Sequence, residues 1–286
     1  MVMWEEAGDA LEALGKDPDI RCLIIAGNGR AFLAGHDVTE IREHSKGSAD
    51  GPVTKEQLFA WQQTAQRVTR LIRSVPFPVI AAVQGWCVGG GTEISIGCDL
   101  VVASMNAQFG CPEVTLSITM TNGTTKMLAQ KVGIARAREI AYLGEWWTAA
   151  DAYRIGLVNR VVPAGKEREE AAKMADVIAR RAPISVRFHK EMIDRAAEEG
   201  NDRRSAAGVG HVQQLHVGAR REHFHRHVHR PVVARRAIAD RAWPHARIGD
   251  ELVECLPRTL GTDGEYRRIG GEARDRNKLI ELVHRR

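Results

Sequence analysis

The sequence lacks any apolar run approaching the roughly 18 residues that a membrane-spanning helix needs, so a helical membrane protein is excluded. It also lacks a cationic start followed by an apolar stretch. The opening MVMWEEAGDALEALGKD carries acids early, which predicts a cytoplasmic chain without a signal peptide. Cysteine is scarce. The five thiols, Cys22, Cys87, Cys98, Cys111 and Cys255, form no Cys-x-x-Cys pair. An odd number in mostly apolar contexts argues for reduced, buried thiols rather than a disulfide framework. No internal repeat recurs in the sequence at a fixed period.

A surplus of positive charge is missing from most of the chain, although the net charge is +5. Residues 201–286 hold 17 Arg and one Lys against 11 acids, a surplus of +7, whereas residues 1–200 hold 23 basic and 25 acidic side chains. Eight of the 11 histidines also fall after residue 200. The basic balance therefore belongs to the last segment, and a nucleic-acid partner is not expected for the first 200 residues. Within 201–286, His223, His225, His227 and His229 alternate, and on a strand they would share one face. No second ligand cluster accompanies them, so no metal is expected.

What is present is an alternation of β runs and helical spacings. Ala7, Leu11 and Leu14 lie at helical spacing, and Asp17-Pro18-Asp19 ends that helix. Residues 20–26 form a β run closed by Gly27-Asn28-Gly29. Helical spacing returns over 56–74. Val79–Val83 is a second buried run, followed by Gly89-Gly90-Gly91 and a short helix expected from about Thr92. A third run covers 99–103, helices follow at 124–132, 135–143 and 149–155, and a strand is expected over 157–162. Residues 166–199 read as one long helix or a bent pair, interrupted at Pro183. The alternation predicts an α/β class.

Two glycine-rich loops follow two of the β runs, Ala34-Gly35-His36-Asp37 and Gly89-Gly90-Gly91. Glycine lets a ligand approach the backbone, and a helix start offers unpaired N–H groups to a developing oxyanion. Read alone, each loop is equally a tight turn. Glu93 follows the triple glycine and Glu113 follows Pro112. Two carboxylates at one centre can divide acid and base work. A first-turn glutamate is also what the helix dipole favours without any chemistry.

Four strings occur in order: NGRAFLAGHDVTEI, PFPVIAAVQGWCVGGGTEISIGCDLVVAS, AQFGCPEV and GEWWTAADAYRIGLVNRVVP. Together they resemble the enoyl-CoA hydratase/isomerase, or crotonase, family over residues 3–197. The block from Pro78 to Glu113 is the most specific part. The resemblance implies a spiral of ββα units, usually assembled as trimers or paired trimers. It implies an acyl-CoA substrate, no metal or redox cofactor, and coenzyme A present only as part of the substrate. By position, it implies an oxyanion hole of the Ala34 and Gly90 N–H groups. Ala34, Gly35, His36 and Asp37 would lie along the CoA-binding loop. Arg30, just ahead of Ala31-Phe32, is a candidate for CoA phosphate contact and equally a solvated loop arginine. Glu93 and Glu113 match the family's catalytic glutamates. Isomerases of the family usually keep only the later one, so the pair implies hydration of an enoyl thioester. Isomerisation, or a non-catalytic remnant, is the alternative.

Two departures from the family pattern carry expectations. Two strands that usually precede the first helix are missing, which leaves a sheet edge unpaired. Residues 201–286 do not resemble the family's closing helices. They are expected to form an atypical Arg/His-rich segment outside a core of residues 1–200, with the composition that a shifted reading frame in GC-rich DNA produces.

Overall fold

The computed structural model describes residues 2–35, 54–199, 265–269 and 279–285. The chain divides into two compact units, residues 1–187 with 247–286, and residues 188–246. Of the second unit, the described residues are 188–199, the last part of one helix.

In the first unit, helix α1 (Val2–Gly15) precedes strand β1 (Ile20–Gly27) and the short strand β2 (Ala31–Leu33). Helix α2 (Lys55–Ser74) starts with Thr54, whose hydroxyl accepts from the Gln57 N–H while the Gln57 side chain accepts from the Thr54 N–H. This reciprocal cap satisfies two donors that the first turn leaves free. Strands β3 (Val79–Val83) and β4 (Trp86–Val88) lead into α3 (Gly90–Gly97). Strands β5 (Leu100–Ser104) and β6 (Gln108–Gly110) lead into a 3₁₀ segment (Pro112–Leu116) and α4 (Thr124–Val132). The chain continues through α5 (Ile134–Leu143), β7 (Trp146–Thr148), α6 (Ala149–Arg154), β8 (Arg160–Val162) and α7 (Glu167–Ala179). Pro183 is the first residue of α8 (Pro183–Glu199), so residues 166–199 are two helices. Proline suits a first turn, where its missing N–H has no intrahelical partner.

Three successive strand pairs, β1–β2, β3–β4 and β5–β6, each put one strand into each of two sheets and pass on to a helical segment. This repeat is the expected ββα spiral. The larger sheet runs β8-β5-β3-β1-β10-β9, where β9 is Glu265–Ile269 and β10 is Leu279–Arg285, and the smaller runs β2-β4-β6-β7. Strands β1, β3, β5 and β8 are parallel. Their alternate residues feed two apolar clusters. Leu23, Ile25, Val79, Ala81 and Val83 join the larger one, with Leu11, Val68 and Ile72 from α1 and α2. Cys22, Ile24, Ala26, Ile80 and Ala82 join the smaller one, with Ala171, Ala172 and Ala175 of α7. Burial on both faces is why β1, β3 and β5 read as hydrophobic runs.

Strands β9 (Glu265–Ile269) and β10 (Leu279–Arg285) differ from expectation. β10 pairs antiparallel with β1 from Gly27↔Leu279 to Ile20↔Arg285, so the edge expected to stand open is hydrogen-bonded. The division expected at residue 200 and the histidine alternation at 223–229 lie outside the described residues, as does Cys255. The other four cysteines are free and buried.

The two layers meet closely where α3 begins. A Cβ built on Gly91 would sit 2.1 Å from the Leu33 carbonyl oxygen at the end of β2. That contact is backbone, so no side chain can yield. Gly91→Ala is expected to destabilise the protein by about 1–3 kcal/mol, the usual cost of overpacking. Urea unfolding would show this as a lowered midpoint with an unchanged slope.

Candidate active site

The close approach of β2 and α3 builds one side of the site. Gly90, the first residue of α3, is buried, and its N–H belongs to the first turn, which makes no bond within the helix. Gly89 ahead of it has φ 53° and donates its N–H to the Gly110 carbonyl at 2.9 Å. Thr92 Oγ lies 2.6 Å from the Cys87 carbonyl and 2.9 Å from that of Gly110, which ties α3 to β4 and β6. Opposite, Ala34 and Gly35 leave the end of β2. A Cβ built on Gly35 would be 3.9 Å from the Gly90 nitrogen, so the two loops lie side by side. Gln84 Nε2 holds the turn ahead of β2, reaching the carbonyls of Gly27 at 2.8 Å and Ala31 at 3.2 Å.

Glu93 and Glu113 enter from different elements. Glu93 lies in the first turn of α3 and is 3% exposed, and Glu113 lies in the 3₁₀ segment and is 8% exposed. A Cβ built on Gly89 would sit 3.3 Å from Glu113 Oε1, which puts this carboxyl against the backbone that leads into α3. Glu113 Oε2 is buried without a protein hydrogen-bond partner. Burial, followed by the charge of Glu93, outweighs a local backbone hydrogen bond and pushes Glu113 up to about 7. Burial also raises Glu93, against four opposing hydrogen bonds. Cys111, just before the 3₁₀ segment, is pushed well above the usual thiol range, first by burial and then by the charges of Glu113 and Glu93. It is therefore a neutral neighbour rather than a nucleophile.

The Glu93 hydrogen bonds come from residues the sequence reading did not single out. After the 3₁₀ segment Ser117 takes φ 58°, and the chain turns back to bring residues 121–124 onto Glu93. Glu93 Oε1 accepts from the Thr121 N–H at 3.0 Å, the Asn122 N–H at 3.3 Å and Thr124 Oγ at 2.9 Å. Oε2 accepts from Asn122 Nδ2 at 2.6 Å. The visible signal for them is the polar string Thr-Asn-Gly-Thr-Thr ahead of α4, whose Asn-Gly step also marks a turn.

Of the expected site residues, Ala34, Gly35, Gly90, Glu93 and Glu113 converge. Arg30 is exposed in the turn before β2. His36 and Asp37 lie outside the described residues. The helix expected from Thr92 begins two residues earlier, so Gly90 and Gly91 are helical. Among the described residues no group of three or more His, Cys, Asp or Glu side chains could hold a metal ion, and no helix is long and apolar enough to cross a membrane.

The sequence profile of the enoyl-CoA hydratase/isomerase family matches residues 2–226. The chain belongs to that family. It is similar to a crotonyl-CoA hydratase of Syntrophomonas wolfei, 38% identical over 196 residues, which are 68% of this chain and 70% of the relative. A 2,3-dehydroadipyl-CoA hydratase of Escherichia coli is 36% identical over 205 residues, 72% of this chain and 74% of the relative. Among solved structures, an enoyl-CoA hydratase from Bacillus anthracis superposes with a TM-score of 0.67 at 33% identity. That match covers 75% of this chain and 79% of the other. The crotonase fold expected from the motifs is thus the fold observed.

The charge of Glu93 helps to raise Glu113, so Glu93→Gln is expected to lower the Glu113 titration midpoint from about 7, read by carbon-detected NMR of the carboxyl signals. The linkage has a definite sign. A carboxyl whose folded value lies above its unfolded 4.5 stabilises the fold fully below 4.5, and that contribution is lost as pH rises through about 7. Glu113→Gln is expected to flatten this part of the stability profile in urea melts.

Proposed function

We propose that the protein is an enoyl-CoA hydratase, a hydro-lyase that adds water reversibly across the 2,3 double bond of an acyl-CoA thioester. The observation that carries this reading is the buried carboxylate pair beside the start of α3. One member is drawn up to about 7, so that it can give and take a proton near neutral pH.

In this reading the thioester carbonyl accepts from the Ala34 and Gly90 N–H groups. Water adds at Cβ, where a C–O bond forms, and its proton passes to Glu93. The enolate-like charge gathers on the thioester oxygen, facing the two donors. Loss of one such donor costs about 3–4 kcal/mol of transition-state stabilisation. Glu113 delivers its proton to Cα, which completes the 3-hydroxyacyl thioester. The pair begins and ends with one proton, held first on Glu113 and then on Glu93. No metal or redox cofactor enters this sequence. Coenzyme A takes part as the handle of the substrate, with Arg30, Gly35, His36 and Asp37 along its path.

Double-bond isomerisation would need only one carboxylate to carry a proton between two carbons. Retention of both carboxylates, together with the hydratase names of the similar relatives, favours hydration. The assembly we propose is a homotrimer or hexamer. Its support is apolar surface in the first unit, including Trp86, Leu116, Ile118 and Trp146, all exposed by 44% or more. Light scattering of the purified chain should then give a mass of three or six subunits.

The deciding experiment is loss of enoyl-thioester absorbance with crotonyl-CoA. Wild type should hydrate it, and Glu113→Gln should lose roughly 100–10,000-fold in kcat while keeping its fold and CoA affinity. Full turnover by Glu113→Gln would remove it from the acid–base pair.

A further inference from the structure

We propose that Asn122 and Thr124 are positioning residues, which fix Glu93 as the proton acceptor of the pair and leave one of its oxygens, Oε2, open to react. The inference rests on the hydratase reading for its kinetic consequence, but not for its geometry.

The argument is a count of lone pairs. An ionised carboxylate offers about four acceptor positions, two on each oxygen. Oε1 receives three donors, the Thr121 N–H, the Asn122 N–H and the Thr124 hydroxyl, so it is filled. Oε2 receives one, the Asn122 amide, so one position remains. A proton placed on Oε1 would point into three donors. Water must therefore meet Glu93 at Oε2.

The same count divides the roles. Every Glu93 partner donates to it, which opposes the rise that burial causes and favours its accepting, ionised form. Glu113 Oε2, by contrast, is buried with no protein partner, so the single proton shared by the pair rests on Glu113 in the free enzyme. Water's proton then goes to Glu93 Oε2, and the Glu113 proton goes to Cα. Asn122 serves twice, through its backbone and its amide. The amide Oδ1 is buried without a protein partner, so the hydrogen-bonded end of that side chain is the end on Glu93. The titratable groups that face Glu93 from other elements are Glu113 in the 3₁₀ segment and the Cys111 thiol before it. The thiol stays neutral, and the donors to Glu93 are uncharged. Release of Glu93 from Asn122 or Thr124 therefore acts on its own proton affinity and, through charge, on Glu113.

The test uses the full chain with Asn122→Ala, Thr124→Val and the conservative Thr124→Ser. Two readouts are taken, with thermal melting as the folding control. The first is the Glu93 carboxyl midpoint by carbon-detected NMR, which needs no turnover. It should rise by about one pH unit in Asn122→Ala and Thr124→Val and return toward wild type in Thr124→Ser. The second is the pH profile of kcat/KM for crotonyl-CoA hydration. Its acid limb should move up in step, kcat should fall about tenfold or more, and KM should stay within about twofold. A Glu93 midpoint unmoved in both Asn122→Ala and Thr124→Val overturns the proposal. So does a fall in kcat without any shift of midpoint or limb, since that is a packing effect. A shifted midpoint in a protein that hydrates nothing supports the positioning role and removes the hydratase reading instead. Two independent positions keep the result readable if one variant melts early.

Discussion

Two carboxylates buried within reach of each other's charge are costly unless one is neutral and the charge of the other is met by hydrogen-bond donors. That constraint orders the site. Glu93 is compensated by four neutral donors, and burial together with the charge of Glu93 raises Glu113 to about 7. The scaffold that makes this possible is backbone rather than side chain. The end of β2 presses on the start of α3 so closely that Gly91 cannot carry a Cβ. Thr92 then anchors the helix to β4 and β6, so Glu93 projects from a rigid first turn. Glu113 arrives on a separate element, and the loop after it returns the donors.

The chemistry and the fold are thereby one arrangement. Of the parallel core, β1, β3, β5 and β8, the first three strands are sealed on both faces by apolar clusters. Each of its first three strands hands the chain to a three-residue strand of the second sheet. These crossings deliver the Ala34–Gly35 loop, the Gly89–Gly90 step and the Glu113 segment to one place. A site assembled from successive turns of a spiral inherits its alignment from strand register, which is set by burial.

Much of this was legible in the sequence. The runs at Cys22–Ala26 and Val79–Val83 are fully apolar because both of their faces are covered, and they read as strands. The family strings carried Glu93, Glu113, Ala34 and Gly90. What stayed hidden has physical reasons. Strands β2, β4, β6 and β7 are three residues each, too short for a period of two to declare itself. The pairing of β10 with β1 joins residues more than 250 positions apart, which no local pattern encodes. Asn122 and Thr124 were missed because a polar string before a helix reads as a turn. Their partner lies 29 and 31 residues away.

The Trp86–Trp146 pair has a consequence of its own. The rings meet edge to face with centroids 5.4 Å apart, and both side chains are about half exposed. Indoles held so close and so nearly perpendicular couple their electronic transitions, and their outer faces remain in contact with solvent. The pair is thus a built-in optical label that reaches across β6, from β4 to β7 of the second sheet. Near-ultraviolet dichroism and fluorescence would report whatever covers that part of the sheet, without any dye.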